Sequence, residues 1–162
     1  MKSTKKLRGT GVAITTPFHK DGNINFKGFK KLLEHLIAGK VDYLVPLGTT
    51  GESVTLTRDE KIAVLDFVVE VVDKRVPIVA GVGGNNTQEV LKCLSEYDFS
   101  GVDAILSVTP YYNRPSQKGL YQHYKMIVNE SPVPVILYNV PGRTGCNMLP
   151  ETTLSLANDF EN

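Results

Sequence analysis

With 162 residues, 18 Lys and Arg against 17 Asp and Glu, and a formal net charge of +1, the chain has the make-up of a soluble globular domain with a sizeable core. It carries no excess charge to steer it toward nucleic acid or a membrane surface, and no apolar stretch approaches the ~20 residues of a membrane span. Its two cysteines, Cys93 and Cys146, have neither metal nor redox spacing and are read as reduced thiols, which fits the cytosol.

The opening residues Met1 to Arg8 hold Lys2, Lys5, Lys6 and Arg8 and lead into no apolar segment. They are expected to be a solvated tail, not a secretory signal. A strand over 11–15 follows, then a helix whose stripe is Phe26, Phe29, Leu32, Leu33, Leu36 and Ile37, closed by Gly39. A second strand over 43–47 leads to Thr57, which with Glu60 forms a capping-box pattern opening a helix over 58–72. Ile62, Leu65, Val68, Val69 and Val72 are expected on its inner face. A third strand covers 77–82. Asn86 with Glu89 opens a third helix in a similar way, with Cys93 as a small core residue. The fourth strand, 103–108, precedes a helix capped by Ser116 with the stripe Leu120, Tyr124, Ile127 and Val128. The fifth, 133–138, precedes a helix begun by Pro150, with Leu154 and Ala157 following.

These strands are short, apolar and not alternating, as expected of parallel strands buried on both faces. Their starts lie roughly 30 residues apart, enough for a crossover helix each time. Two architectures fit: an open doubly wound sheet and a closed eight-fold barrel. The first strand ends in Thr15-Thr16-Pro17 and not in a glycine-rich phosphate loop, and Gly81-Val82-Gly83-Gly84-Asn85 lacks dinucleotide spacing. In both architectures ligands bind at the carboxyl ends of the strands, where this chain collects its polar and glycine residues.

Three such loops stand out. Tyr138-Asn139-Val140-Pro141-Gly142-Arg143-Thr144-Gly145 offers a phenol to relay protons, a guanidinium to clamp a carboxylate, and glycines that admit close backbone approach. A Tyr138 packed in the core with a satisfied hydroxyl is the alternative, and Arg143 nearby weighs against it. In Gly48-Thr49-Thr50-Gly51-Glu52-Ser53 two hydroxyls and the backbone amides can hold a small carboxylate. The same residues also suit an ordinary turn with Ser53 or Thr57 as a cap. In Thr109-Pro110-Tyr111-Tyr112-Asn113-Arg114-Pro115 the adjacent tyrosines point in opposite directions and serve two surfaces, or else pack at an interface. His19, His35 and His123 lie in a turn or in helices and are read as surface or packing residues. No residue set has metal-ligand spacing or the arrangement of a Ser-His-Asp triad, so no metal and no cofactor is expected.

Taken together, these loops resemble the dihydrodipicolinate synthase family. It is a branch of the pyruvate-dependent class I aldolases, which also include N-acetylneuraminate lyase. The likeness runs from Gly11-Val12-Ala13-Ile14-Thr15-Thr16-Pro17-Phe18 onward. The 48–53 block is shared across the superfamily, and the 111–115 and 138–145 blocks are specific to the synthase branch. The resemblance implies a (β/α)8 TIM barrel in a cytoplasmic homotetramer, a dimer of tight dimers. Pyruvate would be condensed with L-aspartate-4-semialdehyde through a Schiff base, on the route to diaminopimelate and lysine. It implies a proton relay of Thr49, Tyr112 and Tyr138, with Tyr112 supplied by the neighbouring subunit. Tyr138 would serve Schiff-base formation, Thr50 the pyruvate carboxylate, and Arg143 the semialdehyde carboxylate. It also implies a lysine effector site at Ser53, Asn85, Glu89 and Tyr111. Arg58 and Lys61 fall where sensitive members often carry histidine or an acid, and two cations there oppose a cationic effector.

The resemblance further implies a Schiff-base lysine on a sixth strand, which would begin where the sequence ends at Asn162. No lysine within 1–162 matches it. Residues 1–162 are therefore expected to be the N-terminal part of a single (β/α)8 barrel domain, holding about five of its βα units and inactive alone. Two alternatives remain open: another pyruvate-dependent aldolase of the N-acetylneuraminate lyase kind, and a catalytically inactive fragment. The Pro-Gly-Arg-Thr-Gly setting of Arg143 favours the synthase over the former.

Overall fold

Strand and helix alternate through residues 7–162, the part that this computed structural model describes; Lys2, Lys5 and Lys6 of the expected tail lie outside it. The strands are β1 (Gly11–Ala13), β2 (Tyr43–Val45), β3 (Val79–Gly81), β4 (Ala104–Val108) and β5 (Val135–Tyr138). The helices are α1 (Phe26–Ala38), α2 (Arg58–Val72), α3 (Thr87–Glu96), α4 (Gln117–Glu130), the single turn α5 (Pro141–Thr144) and α6 (Pro150–Asp159). The described residues form two compact units, 7–81 with Asp98–Ala104, and Val82–Tyr97 with Ile105–Asn162.

In the first unit β1 pairs in parallel with β2, Gly11 opposite Tyr43 and Ala13 opposite Val45. A parallel bridge joins Leu44 to Ile78, and the Gly81 N–H donates to the Pro46 carbonyl at 2.8 Å. Asp103 pins this register from both sides. Its N–H donates to the Ile78 carbonyl at 2.8 Å, and its carboxylate accepts the Ile78 N–H at 3.0 Å. Helix α1 packs on α2 through Phe26 and Phe29 against Phe67, with ring centroids 4.9 and 6.0 Å apart. Leu33, Val64, Leu65, Val68 and Val72 are fully enclosed. Burying each such side chain stabilises by about 1.5–3 kcal/mol.

Local signals explain the ends of these helices. The Thr57–Glu60 capping box forms as expected, and its bonds hold the Glu60 carboxyl below the usual range. Arg75 closes the other end of α2. It donates to the Val71 and Val72 carbonyls and grips Glu34 of α1 bidentately at 2.7 and 2.8 Å.

In the second unit β4 and β5 are parallel, with Ile105 opposite Val135 and Val108 opposite Tyr138. Val82 adds an N–H bond to the Leu106 carbonyl at 3.0 Å. Ser116 caps α4 as expected. Gln117 then organises the entry to α6. Its Nε2 donates to the Asn147 carbonyl, while its Oε1 accepts the Leu149 N–H and the Thr152 hydroxyl at 3.0 and 2.7 Å. Val90, Leu94, Leu120, Tyr124, Ile127 and Leu156 form the core of this unit.

Several expectations need correction. Every strand but β4 is two or three residues shorter than expected, because its ends bend away to form the loops. β1 and β5 are not buried on both faces: Gly11 and Ala13 are exposed and Val135–Tyr138 are half-buried, since each strand has one paired neighbour among the described residues. Val64 takes the inner place on α2 that was assigned to Ile62 and Val69, which are half-buried. Cys93 is half-buried and not a core residue. For α6, which had no inner face assigned, Thr152 and Leu156 turn inward and Leu154 and Ala157 are exposed. Asn86 caps α3 through the Gln88 N–H, and no reciprocal bond from Glu89 completes a box. Gly39 caps α1 with an ordinary φ, and the left-handed position falls to Lys40 at φ 59°. No helix of the described residues is long and apolar enough to cross a membrane.

Candidate active site

In the first unit the sequence leaving β2 cannot stay extended, because Leu47 takes a left-handed φ of 59° while 3% exposed. Thr49–Gly51 then form one 3-10 turn, and Glu52 leaves it at φ 55°. Two non-glycine residues in this region cost about 1–2 kcal/mol each. Such strain persists only where surrounding contacts impose it, and it clusters at functional sites. The neighbouring strand imposes it here. A Cβ on Gly81 would lie 2.1 Å from the Leu47 carbonyl oxygen and 2.7 Å from the Gly48 nitrogen, so only glycine allows this approach. The turn presents the Thr49 and Thr50 side chains to solvent, with no hydrogen bond from either hydroxyl among the described residues. Thr57 is at the same time the helix cap, so the capping and presenting roles fall to different residues. Ser53, half-buried, makes no capping bond.

In the second unit, strand alternation decides which way Tyr138 faces. Ile105, Ser107 and Thr109 are wholly buried, while Leu106 and Val108 are half-buried. Tyr138 pairs with Val108 and Ile136 with Leu106, so both share the half-open face. The Tyr138 hydroxyl makes no hydrogen bond among the described residues. Tyr124 is the contrast: fully buried, it donates to the Ser107 carbonyl at 3.0 Å, and burial pushes its phenol well above the usual range. Tyr124 is the satisfied core tyrosine, and Tyr138 is the free one.

The loop after Tyr138 is built to hold Arg143 outward. Asn139 Nδ2 donates to Asn147 Oδ1 at 2.7 Å and to the Met148 carbonyl, while its Oδ1 accepts the Met148 N–H at 3.0 Å. This clamp closes the segment in which α5 carries Arg143, exposed and without an ion pair among the described residues. Thr144, 4% exposed, ties the turn from within by bonding the Val140 and Cys146 carbonyls. The Cys146 thiol donates to the Pro110 carbonyl at 3.1 Å, joining this loop to the Tyr111–Tyr112 loop. Asn113 Nδ2 joins that loop to the Asn85 carbonyl at 3.0 Å. Tyr111 is half-buried and Tyr112 is 90% exposed at φ 72°. Asn85 is half-buried and Glu89 exposed.

The described residues contain no group of His, Cys, Asp and Glu that could hold a metal ion. His19 and His35 are on the surface, and His123 packs in the core. Sequence reasoning missed Gln117, Asn139 and Thr16. Thr16 is 4% exposed and donates to the Gly51 carbonyl at 2.7 Å. A polar residue just past the first strand was its only signal.

Parallel βα units with polar loops at the strand carboxyl ends are those of a partial (β/α) barrel, about its first five units. Residues 6–162 match the model of the dihydrodipicolinate synthetase family, and the chain belongs to that family. It is 55% identical over 154 residues to the 4-hydroxy-tetrahydrodipicolinate synthase of Flavobacterium psychrophilum, covering 95% of this chain and 53% of that protein. The crystal structure of dihydrodipicolinate synthase from Aquifex aeolicus matches with a TM-score of 0.91 and 38% identity, over 95% of this chain and 52% of that one. The chloride-inhibited dihydrodipicolinate synthase from Acinetobacter baumannii, complexed with pyruvate, matches with a TM-score of 0.89 and 46% identity, over 92% and 51%. The chain thus spans about half the length of the curated relatives it matches.

Proposed function

We propose that this chain serves as the N-terminal part of a single-domain barrel enzyme that condenses pyruvate with L-aspartate-4-semialdehyde to give 4-hydroxy-tetrahydrodipicolinate, in the cytoplasm. The observation that carries this reading is Tyr138: a phenol on the half-open face of β5, unengaged among the described residues, followed by a clamped loop that extends Arg143. The Acinetobacter relative that holds pyruvate supports the choice of first substrate.

In this reading a lysine beyond residue 162 joins pyruvate as an imine, which lets a methyl proton leave. Tyr138, Thr49 and Tyr112 carry protons to and from the reacting atoms. Thr50 binds the pyruvate carboxylate, and Arg143 grips that of the semialdehyde bidentately. The exposure and positive φ of Tyr112 support its donation to a neighbouring subunit, within a homotetramer built as a dimer of dimers. Ser53, Asn85, Glu89 and Tyr111 are the effector positions, with Arg58 and Lys61 opposing a cationic ligand.

The test uses the longer protein that carries this chain. Treated with pyruvate and borohydride, it should gain the mass of a reduced pyruvate adduct, and the semialdehyde should be consumed with pyruvate. No adduct, or an adduct on a lysine within residues 1–162, overturns the reading.

A further inference from the structure

We infer that Thr16 is a positioning residue for the pyruvate-binding turn, an inference that rests on the function proposed above. Its hydroxyl, 4% exposed, donates to the Gly51 carbonyl at 2.7 Å. Gly51 follows Thr49 and Thr50 directly, so this bond fixes the peptide plane that ends their turn. The other side-chain bond on this stretch, from the Thr55 hydroxyl to the Glu52 carbonyl, lies beyond the turn.

The donor is itself rigid. The Ile14 N–H donates to the Val45 carbonyl at 3.1 Å, and the Pro17 carbonyl accepts the Asn25 N–H at 2.8 Å, so Thr16 is held from both sides. The acceptor has little freedom either. A Cβ on Gly51 would sit 3.2 Å from the Ile14 carbonyl oxygen, and the turn is bracketed by the left-handed residues Leu47 and Glu52. A strained turn relaxes when a restraint is removed. Loss of the Thr16 hydroxyl frees the Gly51–Glu52 peptide and lets the Thr49 and Thr50 hydroxyls drift. A displacement of this kind weakens a small ligand held by short bonds far more than a remote partner substrate.

The experiment compares Thr16→Val, Thr16→Ser and Thr16→Cys in the longer protein, varying each substrate in turn. Thr16→Val keeps shape and removes the donor; it should raise half-saturating pyruvate about tenfold and change that for the semialdehyde less than about twofold. Thr16→Ser should stay within about twofold of wild type, and Thr16→Cys, a weak donor, should fall between. A merely structural role would lower stability and active fraction without separating the substrates. Equal effects on both substrates, or no effect on pyruvate, overturn the inference. Should Thr16→Val fail to fold, the Ser and Cys variants decide, and equal pyruvate saturation in those two overturns it. Absence of a borohydride-trapped adduct in the wild type instead removes the function, and the inference falls with it.

Discussion

Two tyrosines, Tyr124 on α4 and Tyr138 on β5, show how environment sets what a phenol can do. Tyr124 spends its hydroxyl on the Ser107 carbonyl in a dry core, whereas Tyr138 keeps its hydroxyl unengaged on the open face. Replacing Tyr138 with Phe in the longer protein keeps the ring and removes the proposed relay. Turnover should fall by about 10²–10⁴, the usual worth of a positioned acid-base group, and unchanged turnover in a folded variant would make Tyr138 a packing residue. Arg143 predicts a different pattern. Arg143→Ala should cost about 2–3 kcal/mol in kcat/KM for the semialdehyde, as for a charge-assisted pair, and leave imine formation with pyruvate intact. Steady-state kinetics in each substrate check it; equal damage to pyruvate use would remove the assigned role. Both residues were legible in the sequence as candidates, because a phenol and a cation with glycines make little sense in a plain surface turn. Thr16 was not, since its meaning lies in a carbonyl 35 positions away.

Between elements, buried polar contacts set register and pH response. Helices α3 and α4 meet at the Thr87 hydroxyl and His123 Nδ1, 2.8 Å apart, with the Tyr124 ring edge-on at 5.2 Å. His123 Nε2 is buried without a partner among the described residues, and burial pushes this imidazole from 6.5 to about 4. Between those values the unfolded chain binds a proton that the folded one refuses. Stability should therefore fall as pH drops from 6.5 toward 4 and be unaffected by His123 above that window. The loss should reach up to about 3 kcal/mol. Urea midpoints across the window should show the slope in the wild type and a flatter one in His123→Gln; equal slopes would show that other groups govern acid loss. At the β2–β3 contact, Gly81→Ala forces a methyl onto the Leu47 carbonyl and should cost about 2 kcal/mol or more, read as a lower melting temperature. An unchanged melting temperature would mean that the strand end moves freely.

On the scale of the whole molecule, β1 and β5 have open sides among the described residues, and Val54 and Leu154 are 69% and 63% exposed. Such strand sides and apolar groups are ordinarily covered in an assembled protein. The chain by itself is expected to give no pyruvate adduct with borohydride, where the longer protein gives one; an adduct on the isolated chain would reassign the nucleophile. On the proposed reading, in which Arg58 and Lys61 oppose a cationic effector, lysine at millimolar levels is expected to leave the longer protein's turnover unchanged. Inhibition at those levels would show that the two side chains turn away.

The sequence by itself determined the order of strands and helices, the capping of α2 by Thr57 and of α4 by Ser116, and the loops that carry Thr49, Thr50, Tyr112, Tyr138 and Arg143. These are local matters: apolar periodicity, hydroxyls within reach of their own backbone, and residue types unsuited to plain turns. Tertiary structure alone decided that Val64 and not Val69 faces inward, that Leu154 faces out, and that Tyr124 is satisfied where Tyr138 is not. It also decided that Gly81 at the end of β3 and Thr16 in the segment after β1 both meet the turn around Thr49. Each of these depends on which distant backbone atom comes within about 3 Å, and no local pattern encodes that distance.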